Sequence, residues 1–241
     1  MNTPQIIAIG DSHMDYPTEL LTGGGIPAHF TRLTGIPVRN IAHHGDGSEV
    51  TLSLRKRKEI EESITGTDIM LVSMGGDDIA GDQFCLWLKD NETGNTADAV
   101  DWPVFNHQLD LIMACYADLT QIRNIVNPDC LIVTYEYDFP TASKLGVGVC
   151  GLGPWLKPSL DFCGWLQAQD QVDIIKVVLT AFSARLRALV VNNRVHVETQ
   201  GTCGEDDWQN EIHYNRHGFG KIAAKFVETL APSLAEFQNQ S

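Results

Sequence analysis

The chain has 241 residues, 43% hydrophobic and 20% charged, with a formal net charge of −14. The composition is ordinary for a globular protein, and the acidic balance disfavours nucleic acid and anionic lipid surfaces, which select basic patches. No run of about eighteen apolar residues marks a membrane span. The only basic cluster, Arg55-Lys56-Arg57-Lys58, runs straight into Glu59, Glu61 and Glu62, the pattern of a solvated helix face.

The first predicted strand, residues 5–10, is an apolar run that begins too early to leave room for a secretory signal, so a cytoplasmic location is expected. It ends at Gly10-Asp11-Ser12. A serine at the carboxyl end of the first strand of an open α/β sheet stands where such folds bind ligands. Asp11 and Ser12 are also good helix caps, and the local sequence alone does not decide between the two roles. Further strands are predicted at 38–42, 68–74, 130–136 and 194–198. Phe105, Leu109, Ile112, Tyr116 and Leu119 fall on one face of a helix over 105–126. Val172, Ile175, Leu179, Phe182, Leu186 and Leu189 do the same over 170–191. A last helix is expected from about Arg216 to Leu230, with Pro232 as its stop signal. Strands alternating with helices predict a single α/β domain over 1–241, a three-layer α/β/α sandwich of flavodoxin-like type with about five parallel strands and right-handed crossovers.

Two segments break the rhythm. Residues 89–101 read as a polar, exposed, mobile loop. Residues 138–169, with Pro140, Pro154, Pro158, Trp155 and Trp165, form a loop too long to be incidental in a compact domain. Following the fourth strand, this loop is expected above Ser12 as a wall of the substrate pocket. The competing expectation is a surface excursion that tucks its tryptophans into the core. Gly146-Val147-Gly148-Val149-Cys150-Gly151 matches a dinucleotide fingerprint by letter, but no strand–helix junction surrounds it. The six cysteines show no CxxC pairs and no zinc spacing; Cys115 and Cys130 read as core thiols, and Cys150 and Cys163 are close enough in sequence for a bridge.

A serine nucleophile needs a base. Of eight histidines, His196 lies in a strand pattern and reads as packed. His107 and His217 fall on predicted helices, and nothing singles out His29. His13 is next to Ser12, and chain neighbours point apart. His43 and His44 follow the second strand at the functional edge, where they line a pocket or bind metal, although no third ligand is in view. His213, in Trp208-Gln209-Asn210-Glu211-Ile212-His213, sits between the last strand and the last helix and is the best base.

Four blocks occur in order: Gly10-Asp11-Ser12, Asn40-Ile41-Ala42-His43-His44-Gly45-Asp46, Ser73-Met74-Gly75-Gly76-Asp77-Asp78-Ile79, and Asn210-Glu211-Ile212-His213. Together they resemble the SGNH (GDSL-type) hydrolases across nearly the whole chain. Tyr137–Pro140 and Gly153–Pro158 also resemble segments of a bacterial esterase/lipase-like branch. The resemblance implies an ester hydrolase that forms an acyl-enzyme on Ser12, with His213 as general base and residue 210 orienting it. It also implies an oxyanion hole of Ser12 N–H, Gly45 N–H and the side chain of residue 77. No metal or organic cofactor is implied, and the expected partner is a small-molecule ester. Asp11, His44, Tyr137 and Trp155 are expected around the substrate.

Two positions depart from the pattern. The family's acid before the histidine is Asn210 here, which can orient an imidazole but does not stabilise its cation as a carboxylate does. The family's oxyanion asparagine is Asp77, and an ionised carboxylate has no donor. Three outcomes are open: Asp77 is protonated and donates, the two backbone N–H groups suffice at reduced rate, or the fold keeps its pocket as a binding protein without turnover. A flavin-binding flavodoxin-like protein is a third reading of the fold class, and it leaves Asn210–His213 unexplained. Asp78 is expected to cap a helix and hold its loop.

Overall fold

The computed structural model describes residues 5–16, 22–148 and 152–239, with side chains through residue 236. The five strands are β1 (Ile6–Gly10), β2 (Val38–Asn40), β3 (Ile69–Ser73), β4 (Leu131–Tyr135) and β5 (Arg194–Val197). They form one all-parallel sheet in the order β2-β1-β3-β4-β5. The inner strands β1 and β3 are buried along their whole length, as their continuous apolar runs require when helices cover both faces. The edge strands β2 and β5 are shorter and partly exposed.

The six longer helices are α1 (Ile26–Thr34), α2 (Leu54–Ile64), α3 (Trp102–Val126), α4 (Lys157–Phe162), α5 (Ala168–Arg187) and α6 (Arg216–Asn239). α1 packs on α6 in one layer, and α3 packs on both α2 and α5 in another. The result is the expected three-layer α/β/α sandwich. The predicted stripe of α3 is buried from Phe105 to Leu119, and Phe182 and Leu186 of α5 are fully buried.

The last helix differs from expectation. It runs through Pro232 rather than stopping before it. Proline removes one helical hydrogen bond, but Leu230 and Leu234 on either side are buried, and that packing carries the helix past the missing bond. The 89–101 segment is also less free than expected. Leu88 bridges Val100, Ala99 and Val100 are buried, and Asn91 donates to the carbonyls of Cys163 and Gly164. Its tip remains exposed. Cys150, and with it the suggested Cys150–Cys163 pairing and the end of the 146–151 glycine pattern, lies outside the described residues.

Strand order changes direction between β1 and β3, which opens a crevice at their carboxyl ends. Gly10 aligns with Ser73 there. Gly10 has φ +126°, and a Cβ on it would stand 1.6 Å from the Ser73 carbonyl oxygen, so the two chains close this tightly only around glycine.

Candidate active site

The turn after β1 sets out Asp11, Ser12 and His13. Asp11 N–H donates to the Ser73 carbonyl, and Met14 and Asp15 N–H donate back to the Asp11 carbonyl. The Ser12 N–H makes no hydrogen bond among the described residues. Ser12 Oγ lies 2.7 Å from His213 Nε2, although 201 positions separate the two residues.

The protonation of His213 follows from Asn210. Its Oδ1 accepts the backbone N–H of Ile212 (3.1 Å) and of His213 (2.9 Å), groups that only donate. That assigns the amide orientation. His213 Nδ1, 3.1 Å from the same oxygen, must therefore carry the proton. Nε2 is then the free acceptor facing Ser12, the tautomer a general base needs. Asn210 is fully buried, and its Nδ2 donates to Tyr16 Oη at 3.3 Å. The imidazole is packed edge-on by Tyr16 (4.7 Å), Trp155 (5.4 Å) and His13 (5.7 Å). Burial first, and His13 second, hold the His213 pKa well below its ordinary value, because the cation is desolvated and no carboxylate touches it.

A cavity of about 60 Å³ opens beside Ser12. Its apolar wall includes Phe84, Leu156, Ile175, Val178 and Leu179, and Asp77 and Gly76 stand in the same lining. Asp77 is the second residue of the short helical turn Gly76–Ile79 that follows β3. Burial, then the nearby carboxyls of Asp11 and Asp78, push its pKa up to about 8. Its Oδ2 is buried and has no partner among the described residues. An unpaired buried carboxylate oxygen is costly, and holding a proton relieves the charge.

The remaining expected residues divide. Tyr137 and Asp11 line the cavity, but their polar atoms face inward to each other. Asp11 Oδ1 accepts Ser73 Oγ–H (2.5 Å) and His13 N–H (3.0 Å), and Oδ2 accepts the Tyr137 hydroxyl. Trp155 packs on the His213 ring. Leu156, Asp138 and Pro140 of the 138–169 loop line the cavity, while Trp165 of the same loop is buried in the core. His44 and Gly45 are exposed and stand outside this lining. His44 Nδ1 pairs with Asp15 at 3.1 Å, and its ring stacks on His43. Gly45, at φ +80°, takes the left-handed position of a turn closed by Asp46 N–H to the His43 carbonyl. Asp78 Oδ2 accepts both N–H and Oγ–H of Ser48 at 2.8 Å, so it ties the third block to the helical turn Ser48–Thr51 after the second block rather than capping its own turn. His196 is packed between Thr134 and Glu136, and His217 pairs with Asp207. No group of three or more His, Cys, Asp or Glu among the described residues is arranged to hold a metal ion. No helix among them is long and apolar enough to cross a membrane.

Sequence reasoning missed His13. Its ring is buried, donates Nε2–H to the Ile212 carbonyl (2.9 Å) and accepts at Nδ1 from Tyr135 Oη (2.7 Å). Tyr135 Oη in turn reaches Ser73 Oγ at 3.1 Å, which donates to Asp11. The Ser12 turn, β3, β4 and the His213 loop therefore share one buried hydrogen-bond chain. Burial, opposed by the Asp11 charge and the Ile212 carbonyl, lowers the His13 pKa and keeps the ring neutral in that chain.

No protein-family model matches the chain, and no curated protein matches its sequence. Solved structures do match. A lipase from a goat rumen metagenome superposes with a TM-score of 0.61 at 14% identity, over 94% of this chain and 97% of that one. A carbohydrate esterase of family 3 from Talaromyces cellulolyticus gives 0.55 at 14%, over 97% and 99%. A Parabacteroides merdae protein classed as GDSL-like lipase gives 0.54 at 14%, over 95% and 96%. The chain has the SGNH/GDSL hydrolase fold.

Proposed function

We propose that the protein is a serine hydrolase of carboxylic esters, formed as one domain over residues 1–241. The observation that carries this reading is the buried chain Ser12 Oγ–His213 Nε2, His213 Nδ1–Asn210 Oδ1, in the tautomer that base catalysis requires. The lipase and carbohydrate esterase structures on the same fold support ester hydrolysis in general.

Ser12 Oγ attacks the ester carbonyl as its proton passes to His213 Nε2. The imidazolium is held through Nδ1–H by the Asn210 amide oxygen, a dipole rather than a charge. Negative charge on the former carbonyl oxygen is met by the Ser12 N–H and the protonated Asp77 carboxyl, since Gly45 stands outside the cavity lining. The tetrahedral intermediate collapses as Nε2–H passes to the leaving alkoxide, leaving the acyl group on Ser12. Water then attacks with His213 again as base, releasing the acid. The apolar lining of the small cavity suits a short acyl chain.

A second reading, an SGNH-fold binding protein without turnover, is favoured by one observation: a carboxyl, Asp77, where a permanent donor is expected. The test is p-nitrophenyl acetate hydrolysis together with fluorophosphonate labelling. Ser12→Ala and His213→Ala each remove most activity, and the double variant is hardly worse than either, because the two act as one unit. Only an activated serine labels, so a wild-type protein that stays unlabelled supports the binding reading. Near-normal turnover in either single variant rejects the assignment.

A further inference from the structure

Glu211 lies between the two residues of the Asn210–His213 pair and is fully buried. Its carboxylate accepts four backbone N–H groups from two separate stretches of the 138–169 loop. Oε1 takes Gly146 (3.0 Å) and Lys157 (2.8 Å), and Oε2 takes Trp155 (2.5 Å) and Leu156 (2.6 Å). Glu211 N–H donates in return to the Val147 carbonyl at 3.1 Å. Among the described residues four N–H donors and no acceptor face the group, two to each carboxyl oxygen. No side-chain cation among the described residues shares the task, since Lys157 Nζ bonds Asp161 instead. The carboxyl is met by backbone dipoles, two of them at the start of α4.

What the clamp holds bears on the site. The Trp155 indole packs edge-on against the His213 ring, and the Trp155 carbonyl accepts Gly81 N–H from the segment after Asp77. Leu156 is, with Pro140, the loop's apolar contribution to the cavity wall, and Glu211 and Ile212 line the same cavity. One carboxylate thus joins the loop that shapes the cavity to the loop that carries the base.

We propose that Glu211 is a positioning residue that sets substrate fit: by gathering the N–H groups of Gly146, Trp155, Leu156 and Lys157, it holds Trp155 against His213 and Leu156 in the cavity wall. The proposal rests on the serine-hydrolase reading for its kinetic consequence but not for the clamp itself. The near-isosteric Glu211→Gln variant keeps one acceptor oxygen and turns an NH₂ toward two backbone donors, so half the clamp opens.

The experiment has two arms on the full chain. In the first, hydrogen–deuterium exchange is compared between wild type and Glu211→Gln. The expected result is exchange at least about tenfold faster over 146–147 and 155–157, with the sheet strands unchanged. In the second, kcat/KM is measured on p-nitrophenyl esters from acetate to octanoate. The expected result is a change of about tenfold in the ratio of octanoate to acetate, beyond any uniform loss. Unchanged exchange at 155–157, or faster exchange with an unaltered chain-length profile, overturns the proposal. Should Glu211→Gln fail to fold, Leu156→Ala, which keeps the clamp, carries the test, and an unaltered profile there overturns it. A wild-type protein that neither turns over nor labels with fluorophosphonate refutes the hydrolase reading, while the exchange arm still decides the clamp.

Discussion

Replacing Asp77 by asparagine separates the two readings of the oxyanion site. With a pKa of about 8, the carboxyl is about nine-tenths protonated at pH 7, half at pH 8 and one-tenth at pH 9. If only the protonated form donates to the oxyanion, wild-type kcat/KM falls about tenfold between pH 7 and pH 9. It continues down toward a floor about 10²–10³ below the plateau, the worth of one oxyanion donor. An asparagine amide donates at every pH. Asp77→Asn therefore matches wild type near pH 7, exceeds it about twofold at pH 8 and about tenfold at pH 9. His213 limits only the acid side, because its pKa lies well below the ordinary value and the base is already free at neutral pH. The assay is p-nitrophenyl acetate kcat/KM from pH 5 to pH 10, corrected for spontaneous hydrolysis. A ratio of variant to wild type that does not change with pH, or a variant less active at pH 9, refutes the role given to residue 77. The same substitution has a stability signature. The folded carboxyl titrates above its ordinary value of 3.8, so between about pH 4 and pH 8 the folded state binds more protons than the unfolded one, and stability falls as pH rises. The Tm advantage of Asp77→Asn grows across that window and levels off above it.

Asn210→Asp puts a charge beside Nδ1 and raises the His213 pKa, so the acid limb of kcat/KM moves to higher pH; an unmoved limb means that another group orients the ring. Tyr137→Phe removes the donor to Asp11 Oδ2 in a buried network and costs about 1–3 kcal/mol, read as a lower urea midpoint at unchanged m-value. Gly10→Ala drives a Cβ into the Ser73 carbonyl and lowers Tm by about 10 °C or more, equivalent to about 4 kcal/mol in a chain of this size. A soluble Gly10→Ala protein with wild-type Tm contradicts the close β1–β3 approach.

The sheet was legible because its signal is local. Ile6–Ile9 and Ile69–Val72 are runs of branched apolar residues that fit only a strand covered on both faces. The stripes of α3 and α5 repeat at helical spacing, and burial followed them. Pro232 misled because its local preference is real, but Leu230 and Leu234 pack strongly enough to override it. The pairing of Ser12 with His213 was readable only through the order of the four blocks, since no periodicity relates residues 201 apart. His13 and Glu211 were not readable. Their partners are backbone groups, the Ile212 carbonyl and four amides of a distant loop, and a backbone group has the same letterless chemistry at every position. The turn after β1 also bends sharply enough to bring the His13 ring back beside His213, which defeats the rule that adjacent side chains diverge.

Among the described residues the cavity lining contains four carboxyl groups, Asp11, Asp77, Asp138 and Glu211, and no lysine or arginine. An ester enters such a space uncharged. In the proposed reaction its acid product, once ionised, meets acidic groups and no lysine or arginine among the described lining residues to retain it. Under the hydrolase proposal that asymmetry gives turnover a direction: the chemistry converts a ligand that the lining tolerates into one that it does not retain. It also screens what enters, since half-esters of dicarboxylic acids carry at the outset the charge that other acyl groups acquire only at the exit.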